Sequence, residues 1–115
     1  KELVKIWGTG KPKREFLFVD NVVDACIFLM EHYNDSELIN ISGGEEISIK
    51  NLAEKLKKIA GFKGKIIYET DKPDGIPRRL LDSHKIFKLG WRSNIKLNKG
   101  LEITYNWYQK NVATN

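Results

Sequence analysis

Residues 22–30 read VVDACIFLM, and the segment around them is apolar almost all the way round a helix. A helix on a protein surface shows one apolar stripe, so this pattern predicts a helix over 21–33 that is buried on more than one side. The run is too short, and too interrupted by Asp24, for a membrane span, which needs about 20 consecutive apolar residues. Asp20 stands where an N-cap belongs, because its carboxylate can accept from the free N–H groups of a first turn. Any fold for this chain must supply other elements to cover that helix. The 115 residues suffice for one domain, 1–115, with one core, and 41% of them are apolar, enough to pack that core.

The remaining pattern is mixed. LVKIW at 3–7 alternates and ends at Gly8, which predicts a strand; EFLFV at 15–19 predicts a second extended run. ELINISGG at 37–44 reads as a short strand closed by paired glycines, and KIIYE at 65–69 as another strand. Ser48 can cap a helix over about 49–60, where Ile49, Leu52, Ala53, Leu56 and Ile59 share one face and Gly61 fits the position after the last turn. TDKPDGIPRR is a turn-rich loop, after which Asp82 or Ser83 caps a short helix ending at Leu89 and Gly90. LNKGLEITYNWYQKN is the last helix, with Leu97, Leu101, Thr104, Tyr105 and Tyr108 on one face, and VATN a frayed tail. The order strand, strand, helix, strand, helix, strand, helix, helix is an α/β arrangement of small sheets with about four helices. It lacks a complete doubly wound nucleotide domain, since no G-x-G-x-x-G opens a helix after a strand.

Cys26 is the single cysteine, which excludes an internal disulfide and a thiolate metal site; among apolar helix residues it reads as a buried, inert thiol in a reducing, cytoplasmic setting. His32 and His84 have no partner at metal-ligand spacing and read as surface or cap-region residues. Trp91 and Trp107 read as core. No signal-peptide pattern opens the chain, which starts with Lys rather than Met, as a piece of a longer chain would. The formal charge of +5 suits an anionic partner. The cations are spread over all elements and the aromatics sit inside apolar periodicities, which argues against a nucleic-acid stacking platform.

Two stretches carry candidate chemistry. IWGTGKPKREF, at 6–16, has the glycines and cations of an anion site but not those of a phosphate-binding P-loop. Pro12 follows Gly10-Lys11, no Ser or Thr follows the lysine, and no helix starts until Asp20. A hairpin remains, with LVKIW and REFLFV as its arms and the glycines as its bend. Arg14, re-entering an apolar run, offers a fixed guanidinium for phosphate oxygens; Trp7 offers an indole to a base or ribose, with a plain core role equally open. In KPDGIPRRLLD, at 72–82, Lys72, Arg78 and Arg79 suit a diphosphate and Asp74 or Asp82 a sugar diol. Taken alone, this reads better as a charged loop with an N-cap at Asp82. No general acid–base pair and no activated nucleophile emerges.

Together, IWGTGKPKREFLFVDNVVDA, INISGGEEISIKNLAEKL and KPDGIPRRLLD followed by LGW resemble the C-terminal portion of the GDP-L-fucose synthase family, within the extended short-chain dehydrogenases/reductases. The likeness runs from about Leu3 to Asn111. REFLFVD is shared across many nucleotide-sugar epimerases and dehydratases; KPDGIPRRLLD favours the fucose synthase branch. The resemblance implies a two-part enzyme. An N-terminal Rossmann part, absent from this sequence, would bind NADP and carry the Ser, Tyr-x-x-x-Lys, Cys and His groups; Cys26 lies in the wrong context to stand for that cysteine. This chain would be the C-terminal substrate-binding portion, with the GDP-sugar and the Rossmann part as partners, in a homodimeric enzyme. Trp7 and Arg14 match residues that hold the GDP, Asp74 a ligand-contacting carboxylate, and Arg79 a cation that is Lys in some relatives. Lys72 and Lys65 are added from their place in the same loop and strand. The alternatives are another nucleotide-sugar epimerase or dehydratase, or a non-catalytic nucleotide or nucleic-acid binding module.

Overall fold

The computed structural model describes residues 2–113. Strand β1 (Leu3–Trp7) runs parallel to β4 (Lys65–Glu69), with Leu3 opposite Lys65 and Trp7 opposite Glu69. Strand β2 (Lys13–Glu15) runs antiparallel to β3 (Glu46–Ser48), with Arg14 opposite Ile47. Between and around these two small sheets lie α1 (Val19–His32), α2 (Ile49–Ala60), α3 (His84–Lys88) and α4 (Leu97–Asn111). The α/β class, the small sheets and the four helices match the sequence reading. No helix among the described residues is long and apolar enough to cross a membrane.

The expected hairpin does not form: β1 and β2 belong to different sheets. Gly8 and Gly10 take positive φ values of 89° and 78° and turn the chain off the β1 axis. The Gly8 N–H still extends the β1–β4 ladder to the Glu69 carbonyl (2.9 Å), but the carbonyls beyond it serve α2. Those of Gly10 and Pro12 accept from the N–H groups of Lys50 (2.8 Å) and Ile49 (2.9 Å), two of the free donors of that helix's first turn. Ser48 Oγ accepts from a third, Asn51 (3.1 Å), as expected, and Gly61 closes the helix at φ 68°. The segment is spent on capping a helix and cannot also fold back on its own strand.

Helix α1 starts earlier than expected. Phe18 occupies the N-cap position without a side-chain cap bond, and Asp20 lies inside the first turn, where its charge suits the helix dipole. The start is set by Asn21, which is buried: its amide nitrogen donates to Asn94 Oδ1 (2.7 Å) and its carbonyl oxygen accepts from the Ile95 N–H (3.2 Å). Asp24 accepts from Trp91 Nε1 (3.0 Å). With Ala25, Phe28 and Leu29 these form one stripe that packs on Ile86, Trp91, Ile39, Ile41 and Phe87, the core. The opposite face, with Val19, Val23, Cys26, Ile27 and Met30, is exposed. Burial on more than one side, and with it the buried thiol, is therefore not realised within the described residues.

Strand bounds differ in two further places. The second strand covers 13–15 rather than 15–19, because only that stretch meets β3; Phe16 to Phe18 lead into α1 instead. Residues 37–44 form no strand, and Glu46–Ser48 pair in their place, while Ile39 and Ile41 serve the core. Asp82 Oδ1 accepts from the His84 N–H (3.0 Å) at the start of α3. Trp91 is core as expected, at 4% exposure, but Trp107 is exposed on α4. Helix α4 packs on α2, and its buried Gly100 lies against Phe18. Glu45 Oε2 accepts from the Leu97 N–H (2.9 Å) and caps α4. Of the expected frayed tail, residues 114 and 115 lie outside the described residues.

Candidate functional site

Residues 7–14 and 72–79 run side by side, although 65 positions separate them in sequence at the Thr9–Asp74 contact. At one end Lys72 Nζ stands 5.5 Å from the centroid of the Trp7 ring, and Trp7 is 67% exposed. In the middle, one Asp74 oxygen accepts from the Thr9 N–H (2.6 Å) and the other from the Thr9 hydroxyl (2.8 Å). A Cβ at Gly8 would collide with that carboxylate, so the close approach requires glycine. At the far end the Lys13 N–H donates to the Pro77 carbonyl (2.9 Å), and the Lys13 carbonyl accepts from the Arg79 N–H (3.2 Å). This is a parallel β-bridge between Lys13 and Arg78 on the free side of β2.

That bridge brings two of the expected cations together. The Lys13 carbonyl, which holds the Arg79 amide, also accepts from Arg14 Nη1 (2.7 Å). Arg14 and Arg79 border one cleft of about 250 Å³, floored by Leu17, Ile41 and Leu81. Arg78 points elsewhere and forms a two-pronged pair with Glu46, its Nη2 donating to Oε1 (3.1 Å) and its Nε to Oε2. The pair holds the Glu46 carboxyl below its ordinary range and the Arg78 guanidinium above its own. Arg78 thus fastens the loop to β3.

The Thr9 amide, and after it the Thr9 hydroxyl, hold the Asp74 carboxyl below its ordinary value, with Lys11 adding a smaller pull. An ionised carboxylate has about four acceptor sites, so Thr9 leaves room for hydroxyls of a ligand. Trp7, Lys72, Asp74, Arg14 and Arg79 therefore lie along two adjacent segments, joined by side chains at Trp7–Lys72 and Thr9–Asp74 and by backbone at Lys13. Lys65 does not: it begins β4, opposite Leu3, at the end of the sheet away from Trp7. Four residues of strand put it roughly 13 Å from that end. In the glycine-rich turn the Thr9 N–H is taken by Asp74 and the Lys11 N–H by Thr9 Oγ1 (3.1 Å), so neither points free toward a phosphate.

Sequence reading missed two residues that build this site. Thr9 locks the two loops, and only its place between two glycines hinted at a role. Glu15 accepts from the Leu81 N–H (2.8 Å) and from Ser42 Oγ (2.8 Å), contacts between segments distant in sequence that no local pattern encodes.

Residues 1–42 match the NAD dependent epimerase/dehydratase family. The chain is 50% identical over 112 residues to GDP-L-fucose synthase 1 of Arabidopsis thaliana, covering 97% of this chain and 35% of that protein. It is 39% identical over 117 residues to the GDP-L-fucose synthase of Escherichia coli, covering 94% of this chain and 36% of that one. Among solved structures, a GDP-mannoheptose C4 reductase from Campylobacter jejuni with NADP bound superposes with a TM-score of 0.83 at 38% identity, over 94% of this chain and 35% of its own. The chain spans about a third of the length of the curated relatives it matches.

Proposed function

From a chain that carries the sequence and fold of the C-terminal part of the GDP-L-fucose synthases, extended short-chain dehydrogenases/reductases, we propose a grip for the GDP-sugar substrate of such an enzyme. The whole protein converts GDP-4-keto-6-deoxy-mannose to GDP-L-fucose by epimerisation at two carbons beside the ketone and reduction of the ketone. NADPH supplies the hydride from a Rossmann part outside this chain, and the catalytic groups lie on that part. The 115 residues act as one substrate-binding unit of a cytoplasmic homodimer.

The observation that carries this reading is the pairing of residues 7–14 with 72–79, which lines up an indole, two guanidinium groups, an ammonium and a carboxylate. Arg14 and Arg79 meet the diphosphate, where planar guanidinium groups hold paired oxygens well. Trp7 packs on the nucleoside, Lys72 adds charge beside it, and Asp74 accepts from sugar hydroxyls.

Titration of the protein with GDP, UDP and single-stranded DNA by calorimetry tests the assignment. GDP should bind most tightly, and Arg14→Ala should weaken GDP roughly ten- to a hundredfold, the loss of a charge-assisted contact. Equal binding of all three anions, abolished by salt, would instead mark a general anion-binding module.

A further inference from the structure

The Arg79 segment is tied to β2 at two points. The Arg79 N–H donates to the Lys13 carbonyl (3.2 Å), and two residues on the Leu81 N–H donates to one oxygen of Glu15 (2.8 Å). Arg79 and Leu80 are thus spanned between two anchors on the strand that also carries Arg14. The other Glu15 oxygen accepts from Ser42 Oγ (2.8 Å). Ser42 Oγ in turn accepts from Ser83 Oγ (2.6 Å) and from the Gly44 N–H (3.2 Å), and both serines are buried.

Counting protons shows what holds this network in one arrangement. A hydroxyl has one proton and two lone pairs. The Ser42 proton goes to Glu15, and its lone pairs are filled by Ser83 and Gly44. All donors run toward Glu15, the one member that accepts on both sides and donates on neither. Glutamine replaces it only at a cost. If its amide oxygen accepts from Leu81, its NH₂ can donate to Ser42 Oγ only once the Ser42 hydroxyl turns to Ser83 Oγ and displaces the Ser83 proton. If the oxygen turns to Ser42, the NH₂ opposes the Leu81 N–H. Either way the charge-assisted acceptor at both ties is lost.

We infer that Glu15 is a positioning residue that sets the spacing of Arg79 from Arg14, acting through the Leu81 amide and the Ser42–Ser83 pair. This rests on the reading that the two arginines grip the diphosphate of a GDP-sugar.

The test is a double-mutant cycle on the full chain, read as GDP affinity. Glu15→Gln and Arg79→Ala should each weaken binding roughly tenfold, the scale of one lost charge-assisted hydrogen bond. The double variant should be hardly weaker than Arg79→Ala alone, because Glu15 acts through Arg79. Glu15→Gln combined with Trp7→Ala should be additive. A merely loosened fold would weaken binding independently of Arg79, so multiplying losses in the first cycle, or no loss in Glu15→Gln, overturns the inference while leaving the diphosphate reading intact. No loss in Arg79→Ala overturns both. Amide exchange in the unaltered protein gives a check that needs no variant. The Leu81 amide should be protected together with that of Arg79; free-peptide exchange at Leu81 beside a protected Arg79 would sink the proposal.

Discussion

Asp74 takes both donors of a single residue, and this makes the loop pair sensitive to acid. Its carboxyl is held below the ordinary value of 3.8, chiefly by the Thr9 amide. A lowered carboxylate pKa means stabilisation fully present above the ordinary value and lost as pH falls through the lowered one. The Thr9 amide should therefore stay protected from hydrogen exchange at neutral pH and down to the ordinary carboxylate range. It should open only below that range, and in Asp74→Asn the acid step should vanish. An opening of Thr9 at pH 5 to 6 would contradict this. The site was partly legible at this scale. Charge and aromaticity marked Trp7, Arg14, Lys72, Arg79 and the carboxylates Asp74 and Asp82 as candidates, and the family resemblance chose Trp7, Arg14, Asp74 and Arg79 among them. Thr9 and Glu15 could not be named, since what defines them is a partner 65 or 66 positions away. Lys65 was drawn in by closeness along the chain, which a strand turns into distance.

Among the elements, α2 was readable from end to end because its signals are local: a serine cap, one apolar face and a glycine in the left-handed region. Ser48→Ala should cost about 1 kcal/mol in urea unfolding, the usual worth of such a cap, and Ser48→Thr should recover most of it. A loss of only a few tenths would mean that the Gly10 and Pro12 carbonyls suffice to cap the helix. Strands β1 and β4 were equally plain, β1 from alternation and β4 from its β-branched and aromatic run. The strands that moved, β2 and β3, are three residues each, too short for a period to speak, and their bounds are decided by where the two meet. Helix α1 shows the converse. Its apolar periphery was read correctly, but which stripe is covered was decided by two polar residues, Asn21 and Asp24, through their contacts with Asn94, Ile95 and Trp91.

Over the whole molecule, burial is thin. The radius of gyration is 16.9 Å, against about 13 Å for a compact chain of this length. The fully or nearly fully buried apolar side chains among the described residues are Ala25, Ile47, Ile86 and Trp91. Val19, Val23, Ile27 and Met30 of α1 and Trp107 of α4 stand exposed, Met30 at 83%, and Phe18, Val19, Ile103 and Trp107 line an apolar recess of about 430 Å³. Apolar surface of this kind is covered in stable proteins. The 115-residue chain alone should therefore associate with itself as concentration rises, and Val23→Lys with Ile27→Lys should suppress this without loss of helix content. A monodisperse monomer in sedimentation at all concentrations would count against it. The sequence by itself determined the α/β class, the four helices and strands β1 and β4, because periodicity and turn chemistry act over a few residues. Tertiary structure alone decided that β1 and β2 part into separate sheets, that the two loops run in parallel, and which face of α1 is buried. Each of these depends on backbone and polar groups finding partners far along the chain, where no local pattern reaches.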